Sequence, residues 1–279
     1  MRLVYMDEAG ISAREPVTVV AGVVIDADRQ LMNMEEAIKE CLLGVPPQLA
    51  EGFAFSAKKV WSDRALRDCW PMSNRLHFLC EMMRLPRKLG APIVLGMNRR
   101  EGTDWSRTGM VSGLGLRPDQ VDHLMSFLTC VSRADLYIRE RARPREVGSI
   151  IAEDYPELRS LLKMVPAILR ENPMVSPNQD VFIPTAAERE QGYITQRDEL
   201  RVTRIRRSVH FVEKHDDLAM YLADAVAFGL RAYFADLRFG ETFAEAIFGR
   251  QPVRGDWEGP ASAARSNYPT IDTHPDHFT

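Results

Sequence analysis

Three acidic residues stand where an acid is locally costly or sharply placed. Asp7 follows the apolar run LVYM, Glu153 follows VGSIIA, and Asp224 lies among Leu222, Ala223, Ala225 and Val226 in a strongly apolar helical stretch. A buried carboxylate costs several kcal/mol unless it is paired or binds a cation. Gathered carboxylates repel one another and become stable together when they share a divalent ion. Magnesium takes oxygen ligands at about 2.0–2.1 Å and keeps waters for substrate phosphates. Such a centre hydrolyses phosphodiesters: one ion acidifies a water, and a second about 3.5–4 Å away stabilises the leaving oxygen. No protein nucleophile is required, which suits a sequence without GxSxG, HExxH or P-loop motifs.

Each acid has a plainer alternative. Asp7 could shape the DEAG turn through its own backbone. Glu153 could be the first-turn acid of the helix that follows, favoured by the helix dipole. Helical spacing sets Asp217, Tyr221, Asp224, Phe228 and Arg231 along one side, so Asp224 could face solvent or pair with Arg231.

The elements that must position these acids read as alternating strands and helices. RLVYM (2–6) and PVTVVAGVVI (16–25) flank DEAGISARE and suit a hairpin, and the second run is apolar enough for a strand covered on both faces. A helix is predicted over 28–43, stopped by Gly44, Pro46 and Pro47. Residues 45–60 read as irregular, although FAFSA could form a short strand. A second helix follows over 73–89, then the strand PIVLGM. Residues 99–117 carry four glycines and no period, which marks a long loop insertion. Pro118 opens a helix over 119–141. VGSIIAED then forms a strand ending on carboxylates, and PELRSLLKMVPAIL a helix. Residues 172–203 are polar and broken by prolines, a second insertion, before the strand RIRRSVHFV and a last helix over 217–234. The expected architecture is one α/β domain over 1–248 with a loose tail over 249–279. Ligands of open α/β sheets gather at strand ends, where Asp7 and Glu153 could meet a helix-borne Asp224.

Composition bounds the remaining possibilities. Apolar residues are 45% and charged residues 27% of the 279 residues, enough to bury a core. No stretch nears the roughly 20 apolar residues of a bilayer span. The opening residues read as a strand rather than an export signal, so a cytoplasmic protein is expected. Cys41, Cys69, Cys80 and Cys130 form no metal-binding or paired pattern and read as reduced thiols. A net charge of −3 gives no global attraction to nucleic acid, which leaves local patches. Residues 133–145 and 197–207 hold five arginines each, and a guanidinium fork suits phosphate. Lys58, Lys59 and Lys214 could also contact phosphate, and Trp61, Trp70 and Trp105 could stack on bases, although solvated lysines and core tryptophans are commoner. His77, His123, His210 and His215 are scattered, and only His215, beside Asp216 and Asp217, draws interest as an acid or base.

At these acids a resemblance enters. YMDEAG resembles the Tyr-x-Asp-Glu-Ser-Gly opening of a prokaryotic family catalogued as domain of unknown function 3800, while IIAED and YLADAVAFGL resemble its middle acidic strand end and closing Leu-Ala-Asp helix. The similarity spans most of residues 2–234, with Ala9 in place of the usual Ser. It implies a ribonuclease H-like fold, a mixed five-stranded sheet flanked by helices, whose first-strand Asp and further acids hold Mg²⁺ or Mn²⁺. The matching positions are Asp7, Glu153 and Asp224, with Glu8 and Asp217 as accessories.

The expectation is a divalent-metal nuclease or phosphodiesterase acting on RNA or DNA, with Asp7 and Asp224 as ligands and Glu153 as ligand or water-orienting base. Arg204, Arg206, Arg207 and Lys214 are the nucleic-acid contacts it suggests. Two rivals remain open: a non-catalytic module that binds nucleic acid or protein on the same fold, and a phosphohydrolase of small nucleotides.

Overall fold

A computed structural model describes residues 1–100, 115–171, 174–175, 199–200 and 202–249. Most of the expected 99–117 loop, with Trp105, most of the 172–203 insertion and the tail beyond 249 lie outside the described residues.

Five strands form one mixed sheet. In chain order they are β1 (Arg2–Ala9), β2 (Val17–Asp26), β3 (Ile93–Arg99), β4 (Gly148–Glu153) and β5 (Ile205–Val212). Their spatial order is β3-β2-β1-β4-β5. β1 runs antiparallel to β2 and parallel to β4, β2 is antiparallel to β3, and β4 is parallel to β5. A separate two-residue ladder pairs Met174–Val175 with Glu199–Leu200. β1 is thus central, and its C-terminal end lies beside that of β4.

Both faces of the sheet are covered. The helices are α1 (Leu31–Leu42), α2 (Pro47–Ala50), α3 (Ala57–Ser62), α4 (Met72–Lys88), α5 (Pro118–Arg141), α6 (Arg159–Glu171), α7 (Met220–Phe234) and α8 (Gly240–Phe248). On one face Tyr5, Val19, Ala21 and Val23 pack with α1, α4, α7 and α8; on the other Val4, Met6, Val20 and Val24 pack with α5 and α6. This is why every residue of β2 is buried: alternate side chains feed two separate cores.

Alternation along β1 also separates neighbouring acids. Asp7 shares the parity of Tyr5 and turns toward α7, while Glu8 shares that of Val4 and Met6 and turns toward α5. α7 is buried at every position but Arg231, wedged between the sheet, α4 and α8, so it offers Asp224 no solvent face.

Two expectations are corrected here. FAFSA forms no strand: Phe55 instead fills the core against Phe78 and Tyr221, at ring centroid distances of 5.9 and 5.3 Å, and Ser56 caps α3. α8, not anticipated as an element, packs its Phe243 onto Phe228 and Trp61. No described helix is long and apolar enough to cross a membrane.

Candidate metal centre

Four carboxylates and one ammonium meet at the C-terminal ends of β1 and β4. The register that pairs Met6 with Ala152 carries Asp7 next to Glu153, and α7 brings Asp224 down onto them. Lys214, two residues beyond β5, reaches back among the acids. Its Nζ lies 2.8 Å from Asp7 Oδ2, 2.9 Å from Glu153 Oε2 and 3.5 Å from Asp224 Oδ1. The other oxygens of the two aspartates are held by backbone: Asp7 Oδ1 accepts the Glu8 N–H at 2.8 Å, and Asp224 Oδ2 accepts the Ala57 N–H at 2.9 Å.

These contacts remove the plainer alternatives. Asp7 sits inside β1 opposite Ala21 rather than in the turn. Glu153 precedes the first residue of α6, Arg159, by six positions, too far to serve its first turn. Arg231 pairs with Glu15, two helical turns from Asp224.

The electrostatics are those of an under-neutralised site. Burial, then the charge of Glu153, pushes the Glu8 carboxyl up to about 8, against the opposing pull of Lys214. Burial also raises Asp7 well above the carboxylate range, and it raises Asp224; in both, the Lys214 charge opposes the shift. Burial alone would depress Lys214, yet Asp7, Asp224 and Glu153 outweigh it and hold the ammonium charged. One cation facing four acids leaves protons on carboxylates.

Glu8 has a different neighbour. His123 of α5 lies with Nε2 3.8 Å from Glu8 Oε2, its ring edge-on to Tyr155 at 5.2 Å. The imidazole is 1% exposed, burial lowers it to about 4, and neither ring nitrogen has a hydrogen-bond partner among the described residues. A buried polar group left without a hydrogen bond is costly and calls for a physical reason, a bound ion or water among them. No motif marks His123 in the sequence, because a lone histidine on an apolar helix face is usually a core residue.

The donor set suits a hard cation. One oxygen each from Asp7, Glu8 and Glu153 lies within 4.8 Å of the others. Neighbouring ligands of an octahedral magnesium ion are about 3.0 Å apart and opposite ones about 4.2 Å, so a bound ion would draw the three oxygens inward. Carboxylate oxygens with raised proton affinity are what such an ion would displace protons from. The residues therefore fit a divalent ion, with Lys214 as a resident competitor.

Over the acids opens a cleft of about 340 Å³, bordered by Glu8, Ser12, Lys58, Tyr155, Lys214 and Asp224. Its wall, the 10–16 turn, is stapled by Arg100, which donates to the carbonyls of Ser12, Glu15 and Gly10, to Thr18 Oγ1 and to Asp122 Oδ2 at 2.7 Å. That staple was not legible in the sequence. A larger cavity of about 640 Å³ between α1 and α4, lined by Cys41, His77 and Glu81, is bordered by none of the four acids. Its volume alone does not make it the chemical site.

No family model matches the chain, and no curated protein matches it in sequence. The resemblance to the domain of unknown function 3800 family therefore rests on YMDEAG, IIAED and YLADAVAFGL alone.

Several expected site residues fall elsewhere. Asp217 accepts the Ala219 N–H at 3.1 Å and bonds the Tyr5 hydroxyl, apart from the cluster. His215 is exposed beside Glu213 and Asp216. Lys214 is no exposed phosphate contact, since its ammonium is already spent on three carboxylates. Arg204 precedes β5, and Arg206 and Arg207 sit at its N-terminal end. The β4 pairing sets Glu153 against Val212, roughly 20 Å along the strand. Of the other lysines and tryptophans, Lys58 borders the cleft, while Trp70 and Trp61 anchor cores against Phe78 and Phe239. Cys41, Cys69, Cys80 and Cys130 stand as separate thiols.

Proposed function

We propose that the chain is a divalent-metal-dependent nuclease or phosphodiesterase of ribonuclease H-like fold, acting on RNA or DNA in the cleft above Asp7. The observation that carries this is the convergence of Asp7, Glu8, Glu153 and Asp224 at adjoining strand ends with too little positive charge to balance them. The strand order β3-β2-β1-β4-β5, with the first acid on the central strand, accords with that fold and with the family the motifs resemble. Asp7, Glu8 and Glu153 would hold Mg²⁺ or Mn²⁺, which supplies an acidified water and a counter-charge for phosphate oxygens.

The residues of the chain divide the remaining work. Asp224, fixed by the Ala57 N–H and facing Lys214, orients the ammonium and completes the negative field. Glu153 is one-third exposed at the cleft, the best placed of the acids to accept a proton from a water there. Lys58, exposed at the rim, offers a charge to a substrate phosphate. The 10–16 turn, held by Arg100, limits how the backbone of a substrate can enter.

The test is cleavage of labelled single- and double-stranded RNA and DNA with millimolar Mg²⁺ or Mn²⁺, by wild type and Asp224→Asn. Metal-dependent cutting reduced roughly 10- to 100-fold in the variant is expected, since groups that support a metal's ligands carry such factors. Wild type that cuts no polymer and releases no phosphate from nucleotides leaves the fold as a binding module.

A further inference from the structure

We propose that Lys214 takes one of the two cation positions of this centre, so that the chain holds a single divalent ion, seated by Asp7, Glu8 and Glu153. This rests on the metal-site reading above and adds to it the number of ions and the residue that sets it.

The geometry divides the acids into two overlapping groups. Asp7, Glu153 and Asp224 form a tripod around Lys214 Nζ, all within 3.5 Å and each from a different element. Asp7, Glu8 and Glu153 form the other group, with oxygens within 4.8 Å of one another. Asp7 and Glu153 belong to both, as bridging carboxylates do in two-ion centres. Glu8 alone has no ion pair with the ammonium among the described residues. What faces it is His123, a 1% exposed imidazole whose nitrogens lack hydrogen-bond partners among the described residues. The unneutralised acid and the unpartnered imidazole both lie on the Glu8 side, away from the tripod, and so mark where a further cation enters.

Lys214 is not free to leave. The turn after β5, closed by the Asp216 N–H to the Glu213 carbonyl at 3.0 Å, carries the residue back over the strand ends, and its side chain is only 18% exposed. A second divalent ion about 3.5–4 Å from the first would have to sit on the tripod and displace an ammonium that three carboxylates hold. One ammonium and one divalent ion together offset three of the four negative charges. Two divalent ions would require expulsion of Lys214 into the cleft.

Mn²⁺ binding to the full chain, counted by electron paramagnetic resonance of free Mn²⁺ and by calorimetry, tests this without reference to activity. Expected are one ion for wild type, two for Lys214→Met, and an affinity for the wild-type ion weakened at least about tenfold by Glu8→Gln. Two ions on wild type, or one on a folded Lys214→Met, overturns the proposal while leaving the metal site standing. No ion on wild type overturns both. Lys214→Gln is a polar route to the same deletion; if neither variant folds, the wild-type count decides, one ion in favour and two or none against.

Discussion

Lys214 Nζ and Asp7 Oδ2 lie 2.8 Å apart, an ion pair that ties the turn after the edge strand β5 to the centre of the sheet. Asp7 is 1% exposed and that oxygen has no hydrogen bond among the described residues, so the ammonium is what makes its charge tolerable. Replacing Lys214 with Met should therefore lower stability in chelator by about 3 kcal/mol, the lower end for breaking a buried pair because the acids can take up protons. Mn²⁺ should restore more stability to the variant than to wild type. Urea unfolding with and without Mn²⁺ measures both; a variant as stable as wild type in chelator means the ion pair does not hold the site together.

The Glu8 carboxyl sets a pH dependence. Its ordinary value of 4.5 is raised to about 8 by burial and by Glu153, so the folded chain keeps a proton that the unfolded chain has lost. That contribution is complete below the unfolded value and disappears as pH rises through the folded one. Asp7 and Asp224, also raised, act in the same direction. Without divalent ions, stability should fall between about pH 5 and about pH 8, and Glu8→Gln should flatten the fall. Denaturation midpoints that climb across that window in wild type would contradict the assignment.

How much of this was legible in the sequence depends on what each residue's placement requires. The strands of the sheet, the hairpin and the long helices follow from periodicity, and Asp224 stands out because no polar neighbour shares its stretch of α7. Lys214 was visible only as one lysine among several, since its place depends on a turn that sends the chain back across β4. The arginines of β5 looked suited to phosphate by type, yet strand direction sets them at the far end from Glu153. His123 and Arg100 gain meaning only once α5 is laid against β1 and β3. FAFSA has strand-like residues, but aromatic packing onto α4 and α7 claims them instead.

Placement separates two predictions about polymer binding. Lys58→Ala, at the cleft rim, should weaken RNA or DNA binding and reduce the magnitude of its log–log salt slope by about 1. Arg206→Ala, exposed at the opposite end of β5, should leave both unchanged. Fluorescence anisotropy across a salt series distinguishes them; the reverse pattern would move the binding face away from the acids.

Close backbone approach between β3 and α5 is what brings Asp122 and His123 to the site. A Cβ at Gly96 would lie 1.8 Å from the Ser126 carbonyl oxygen and 2.9 Å from the Cys130 nitrogen, neither of which can yield as a side-chain tip can. Gly96→Ala should cost about 3 kcal/mol, the upper end for overpacking. Thermal and urea unfolding check this, and a cost well under 1 kcal/mol would mean that α5 sits farther from the sheet.

The central claim, that these acids hold a divalent ion, is tested most directly by anomalous diffraction from crystals of the full chain grown with Mn²⁺. A peak at roughly 2.1 Å from oxygens of Asp7, Glu8 and Glu153, with Lys214 still against Asp224, is the predicted result. Crystals saturated with Mn²⁺ that show no peak at these carboxylates would contradict it.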